Sequence, residues 1–278
     1  MNRLLFIFSV ALLTLCSCFD NKSKDTVTVV ADSVAVGDSL PTDTLEEIIA
    51  ETPMPVAADE LFDDFIFNFA ANRKLQMKRI HFPLDVQTGE RHEKLDKSAW
   101  KMENFFMHQG YYTLLFNDEK QMELGQDTSV SRGIIEKIYF SDHRVKQYYF
   151  ARERGSWMLQ RIVNKSIDEM PDASFLTFYH QFSTDSVFQV GSLSSTVQFT
   201  GPDPDDDFSE MEGVITPDTW PAFAPELPTD MIYNIVYGEE QKGDNVKIFV
   251  IRGIANGFEV ELTFKRQGDK WKLTKLST

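Results

Sequence analysis

FDDFIFNFAANRKLQMKRI, residues 62–80, and FLTFYHQFSTDSVFQVGSL, residues 175–193, lie one on the other without a gap. Phe62, Phe65 and Phe69 then fall on Phe175, Phe178 and Phe182, and Gln76 falls on Gln189. Both stretches space their aromatic residues by threes and fours, which puts them on one face of a helix. Leu61, Phe62, Phe65, Ile66 and Phe69 make the first stripe; Phe175, Phe178, Tyr179 and Phe182 make the second, with Asp172 placed to cap it. Downstream, FARERGSWMLQRI (150–162) answers FKRQGDKWKLTKL (264–276), and Trp100 has a counterpart in Trp220. All four tryptophans of the chain therefore pair in the same order. That agreement at both ends indicates an internal repeat of about 110 residues, and so two units rather than one large domain.

Each unit changes character along its length. A short helical element is expected from Trp100 to Phe106, and its counterpart near Trp220 opens with Thr216-Pro217. Pro221, Pro225 and Pro228 must cut that second element short. The unit ends read as strands. IIEKIYF, VKQYYFARE and SWMLQRIV occupy 134–163, and NVKIFVIRG, FEVELTFKR and KWKLTKL occupy 245–276, with turns such as Ser141-Asp142 and Gly268-Asp269 between runs. Phe258, Val260, Leu262 and Phe264 alternate with Glu259, Glu261 and Thr263, so one sheet face is packed and the other wet. Helices first and antiparallel strands afterwards define an α+β unit with helices on one face of a curved sheet.

That layout, closed by the G-x-W-x-L strand beginning at Gly155, resembles the nuclear-transport-factor-2-like (NTF2-like) cone. The whole chain is similar to a family of Bacteroidetes lipoproteins with two such units in tandem. The resemblance implies an architecture and carries no activity with it, since the cone hosts enzymes, adaptors and binding modules alike.

At the other end, Arg3 and the apolar run Leu4 to Leu15 form a secretory leader too short to span a bilayer, which takes about 20 residues. Leu15-Cys16-Ser17-Cys18 resembles a bacterial lipobox, with aliphatic Leu15 and small Ser17 set for cleavage before Cys18. On this reading residues 1–17 are removed and Cys18 carries the lipid, a membrane anchor. Phe19, in place of aspartate, points to the outer membrane of the cell envelope. Residues 18–58 then form a polar, disordered tether, followed by a first domain at 59–168 and a second at 169–278. A single remaining cysteine, itself modified, excludes an internal disulfide, thiol catalysis and cysteine-rich metal sites.

The chemistry-bearing residues are sparse. Of five histidines, His92 and His143 fall in charged or turn segments, and His108 stands near a helix end. His81 and His180 are the two placed to face a pocket. There is no HExxH, nucleophile elbow, phosphate loop or dinucleotide fingerprint, so no cofactor is expected. GPDPDDDFSEMEG, residues 201–213, begins like a calcium loop. Phe208 then replaces the turn glycine and Val214 the closing glutamate, so a solvated acidic loop is the simpler reading. With 28 basic against 43 acidic residues the formal charge is −15, which disfavours nucleic acid. The basic set Arg73, Lys74, Lys78 and Arg79 reads as the solvated side of the first helix. The sequence thus points to a noncatalytic envelope lipoprotein that binds a small molecule, glycan or protein through a pocket or the groove between units. An enzyme using His81 or His180 as acid or base is the alternative, and a purely structural envelope component is a third reading. Nothing in the sequence fixes the oligomeric state.

Overall fold

The computed structural model describes residues 54–278, except 204, 241, 242, 244 and 255. The leader, the tether as far as residue 53, and Cys18 lie outside the described residues. Two helices open the first half, α1 (Phe62–Ala71) and α2 (Arg73–Lys78), and two open the second, α3 (Ala173–Thr184) and α4 (Ser186–Gly191). The twelve strands are β1 (Ile80–Thr88), β2 (Arg91–Leu95), β3 (Tyr111–Phe116), β4 (Arg132–Tyr139), β5 (Arg144–Glu153), β6 (Ser156–Ser166), β7 (Leu193–Asp203), β8 (Asp206–Ile215), β9 (Met231–Tyr237), β10 (Val246–Gly253), β11 (Glu259–Gln267) and β12 (Lys270–Ser277).

The strands form one sheet in the order β2-β1-β6-β5-β4-β9-β3-β10-β11-β12-β7-β8. Its centre holds an exchange: β9, from the second half, pairs antiparallel with β4, while β3, from the first, pairs antiparallel with β10. The exchanged strands meet in parallel at Thr113 and Asn234. Read from either edge, the pairings repeat, including a parallel β1–β6 pair matched by a parallel β12–β7 pair. β5 and β11 each shift register at the matching residue, Phe150 and Phe264. A parallel central pair flanked by antiparallel strands maps onto itself by a half-turn along the strands, and that turn exchanges the faces of the sheet.

The cores follow from that geometry. Ile135, Tyr148, Tyr233 and Val250 pack with Phe62, Phe65 and Phe69 of α1. Residues of the opposite parity on the same central strands, Ile138, Ile232, Phe249 and Ile251, pack with Phe175, Tyr179 and Phe182 of α3. The two helical layers therefore lie on opposite faces, each filled by aromatic rings in contact. Phe62 packs on Trp157 with centroids 4.8 Å apart, and Phe175 on Trp271 at 5.4 Å. Gly133 of β4 makes room for the first helix, because a Cβ there would lie 2.5 Å from the Phe62 ring.

One polar lock occurs in both halves. Each helical stretch breaks into two at a capping residue. Asn72 accepts from the Leu75 amide, and Asp185 accepts from the amides of Val187 and Phe188. Past the break, Gln76 donates to the carbonyls of Phe69 and Glu103 and accepts from Trp100 Nε1 at 3.0 Å. Gln189 donates to the Phe182 carbonyl and accepts from Trp220 Nε1 at 2.9 Å. The glutamine thus ties a helix end to the tryptophan segment that covers the sheet. Around Trp100 the segment is largely extended, with only 3₁₀ turns at Lys97–Ala99 and Phe105–His108, and around Trp220 it shrinks to Trp220–Ala222.

Three local expectations change. Asp172 stands at the N-cap of α3 but makes no cap hydrogen bond; its carboxylate goes to Lys247 instead. Arg79 does not solvate the helix, since it forms a two-pronged pair with Asp59 at 2.7 and 3.0 Å. The acidic stretch 201–213 is no loop: its ends belong to β7 and β8, which pair antiparallel.

Gln76→Ala strands four buried groups that the amide now joins, so it is expected to lower unfolding free energy by about 3 kcal/mol, read by urea denaturation. Gln189→Ala should cost roughly half as much.

Candidate functional site

The rings that form each core also fill the hollow under each helix. Phe65, Phe69, Phe105, Tyr148 and Phe150 do so in the first half, and Phe178, Phe182, Phe249 and Phe264 in the second. One opening on the first helical face is a cleft of about 580 Å³ where the Trp100 segment leaves the sheet. Tyr148 is its floor. The hydroxyl donates to Glu103 at 2.5 Å, and Lys137 approaches the same carboxylate at 3.5 Å. Burial first, and the charge and hydrogen bond of Glu103 after it, hold the Tyr148 phenol well above its ordinary range.

Alternation along β5 sends Arg144 and Lys146 to the same face as Tyr148, and both line the cleft. Lys146 lies 4.8 Å from the centre of the Tyr148 ring, and Arg144 lies over Tyr139 at 3.6 Å. Burial draws Lys146 below the usual lysine range, against the opposing pull of Glu103. With Lys94 and Lys101, four cations line the cleft against Glu93 and Glu103. In a chain of net charge −15 this is a local reversal of sign.

A second polar site lies at the centre of the sheet on the other face. Gln147, Glu136, Asn234 and Thr113 sit side by side across β5, β4, β9 and β3, all at 5% exposure or less. Glu136 accepts from Gln147 Nε2 and Asn234 Nδ2, both at 2.8 Å. Burial raises its pKa to about 7, only partly offset by these two hydrogen bonds, and the nearby Glu240 and Asp172 add to the rise. A small cavity of about 40 Å³ adjoins it, bounded by the connection from β6 to α3 and the loop after β9.

The histidines are elsewhere. His81 meets Glu153 at 3.1 Å, but both are about half exposed. His180 stacks on Phe140 with centroids 5.2 Å apart and has no carboxylate partner among the described residues. His92 pairs with Asp85 and His143 with Asp168 at the surface, and His108 bonds Asn104. Of the two buried acids among the described residues, Asp59 is paired with Arg79 and Glu136 bonds no lysine or arginine; sequence reasoning passed over Glu136. Its signal was the charge inside IIEKIYF, an otherwise apolar central strand. No cluster of three or more His, Cys, Asp or Glu side chains suited to a metal occurs among the described residues. No helix among them is long and apolar enough to cross a membrane.

Helices packed on an extensive, mixed sheet with aromatic-filled hollows define an NTF2-like α+β protein. A crystal structure of an NTF2-like protein (BF2862) from Bacteroides fragilis NCTC 9343 is 42% identical to this chain. It superposes with a TM-score of 0.73 over 81% of this chain and 98% of that one. Residues 41–278 match the family described as a domain of unknown function (DUF4348), and the chain belongs to that family. No curated protein matches it.

Glu136 gives a pH signature. Its folded-state pKa lies above the ordinary 4.5, so the stability it contributes is complete below pH 4.5 and is lost as pH rises through about 7. Glu136→Gln is expected to match the parent near pH 4.5 and to exceed it by about 3 kcal/mol at pH 8. Urea unfolding of both proteins across that range checks it; equal slopes would remove Glu136 as the source.

Proposed function

We propose that the chain is a noncatalytic lipoprotein of the cell envelope, anchored through Cys18, in which two tandem NTF2-like units bind a small anionic ligand in the first unit's cleft. The observation that carries the ligand reading is the cleft beside Tyr148, a cation-lined opening in an acidic protein. Its size is that of pockets that enclose small organic molecules. Trp100 and Tyr148 offer apolar walls, and Lys101 and Lys146 have no ion-pair partner among the described residues. A ring bearing a carboxylate, such as an acidic sugar, uses both features. The tandem reading, with units at 59–168 and 169–278, is supported by the repeated glutamine–tryptophan bond and by the matching register shifts. The lipobox-like Leu15-Cys16-Ser17-Cys18 supports the anchor and the outer-membrane location.

The enzyme alternative finds little support in the geometry of His81 and His180, since one pair is solvated and the other imidazole lies against an aromatic ring.

Titrating glucuronate and glucose separately into the protein, followed by amide NMR, tests the ligand class. Glucuronate is expected to shift resonances of Lys101, Lys146 and Asn164, and glucose at the same concentration is not. Lys146→Ala should weaken glucuronate binding about ten-fold, the loss expected from one charge-assisted bond. No shift in the cleft with any of a panel of carboxylated or phosphorylated sugars would end this reading. For the anchor, Cys18→Ser is expected to abolish incorporation of labelled fatty acid and release the protein from the membrane fraction.

A further inference from the structure

Four carboxylates surround the small cavity at the centre of the sheet: Glu136, Asp172, Glu239 and Glu240. Three have cations. Lys247 bonds Asp172, Arg132 bonds Glu239, and Lys165 reaches Glu240 at 3.4 Å. Glu136 has only two amide donors, and no lysine or arginine among the described residues bonds it. Its neighbour across the strands supplies an independent sign of a missing partner. Asn234 lines the same cavity at 3% exposure, and its Oδ1 is buried with no donor, although its Nδ2 is used. A buried acceptor without a donor costs about 1–3 kcal/mol.

The fold does not require the acid. Gly133 pairs with Phe150 and Lys247 with Phe264, so Glu136 on β4 takes the place that Val250 holds on β10. A valine fills that place in the other half without polar cost. We propose that this cavity is a binding site for the primary ammonium head of a small amine, received by the Glu136 carboxylate and Asn234 Oδ1.

The chemistry matches in count, sign and size. An ammonium brings three donors and no acceptor, which suits a cavity rich in acceptors. A volume near 40 Å³ exceeds the ~10–15 Å³ that one water needs, leaving room for a methylammonium-sized head. An anion would meet four carboxylates. The site is coupled to protons, because an ammonium binds the ionised form of Glu136. The charged groups facing Glu136 are Glu240 and Asp172, which disfavour that form, with Lys165 and Lys247 compensating the acids next to it. Gln147 and Tyr149 from β5 complete its surroundings, Tyr149 donating to Gln147 at 2.8 Å.

The test is a methylammonium chloride titration of the full chain at pH 6 and pH 8, with potassium chloride at equal ionic strength. The readout is the side-chain amide signals of Asn234, followed by NMR. Methylammonium is expected to shift those signals, with about ten-fold tighter binding at pH 8, as the ionised fraction of a group titrating near pH 7 requires. Glu136→Gln should abolish both the binding and its pH dependence. Asn234→Ala, followed through the Gln147 side-chain amide, should weaken binding several-fold, and it decides the matter if Glu136→Gln fails to fold. An absent shift at pH 8, an equal shift with potassium, or unchanged binding in the variant examined would overturn the proposal. Binding at the Tyr148 cleft is read by other resonances and other ligands, so neither result bears on the other.

Discussion

The exchange of β3 and β9 is the constraint on which the rest of the structure depends. Each half places its third strand in the other's sheet, so one edge of β4 and one edge of β10 are paired by the opposite half, while β5 and β11 pair the other edges. An uncovered strand edge leaves a row of unpaired polar groups. Here the pairing that hides that edge also joins the halves. Side chains add to it: Tyr237 of the exchanged β9 donates to Asp63 at the start of α1 at 2.7 Å. Since the exchanged strands run parallel, the two helical layers must sit on opposite faces, and each core draws residues from both halves of the sequence.

This geometry decides where a site can exist. The hollow under each helix is taken by rings at close-packed distances, which leaves no room for a ligand without displacing core aromatics. Openings survive where a layer ends. The Tyr148 cleft lies where the Trp100 segment departs from the sheet, and the Glu136 cavity lies where the connection into α3 crosses the exchanged strands. One is lined by cations and the other by carboxylates, so the two openings differ in the sign of the charge they present.

Much of the architecture was legible in the sequence. The six terminal strands sit within a few residues of their alternating runs, because half-buried strands write their faces into the order of residues. The alignment paired Gln76 with Gln189 and Trp100 with Trp220 only as marks of the repeat; that each glutamine accepts from its tryptophan, as a buried indole N–H requires, came from the structure. β1, β2, β3, β7, β8 and β9 were not anticipated. β2 is polar and largely solvated, β1 is interrupted by Pro83 and fully buries only Ile80 and Leu84, and YYTLLF in β3 alternates too weakly to declare a face. The exchange itself leaves no local trace, because a strand's sequence records which faces are buried and not which neighbour it bonds. His81 and His180 were chosen by residue type, whereas Glu136 is marked by environment, which only the assembled sheet reveals.

Two departures from equivalence between the halves fall at the centre. Gly133 leaves space for Phe62 to rest on β4, while the matching place on β10 holds Lys247, 1% exposed, neutralised by Asp172 and hydrogen-bonded to Asn117 Oδ1. One helix start is therefore seated by ring packing and the other by an ion pair. Three residues on, Glu136 faces Val250 in the same comparison. Glycine and valine are what packing alone would select; burying a lysine and a glutamate costs several kcal/mol unless partners compensate. Lys247 has its compensation within the chain. Glu136 has two amides and a neighbouring oxygen without a donor, so the asymmetry that packing cannot explain narrows to one carboxyl group at the junction of the exchanged strands.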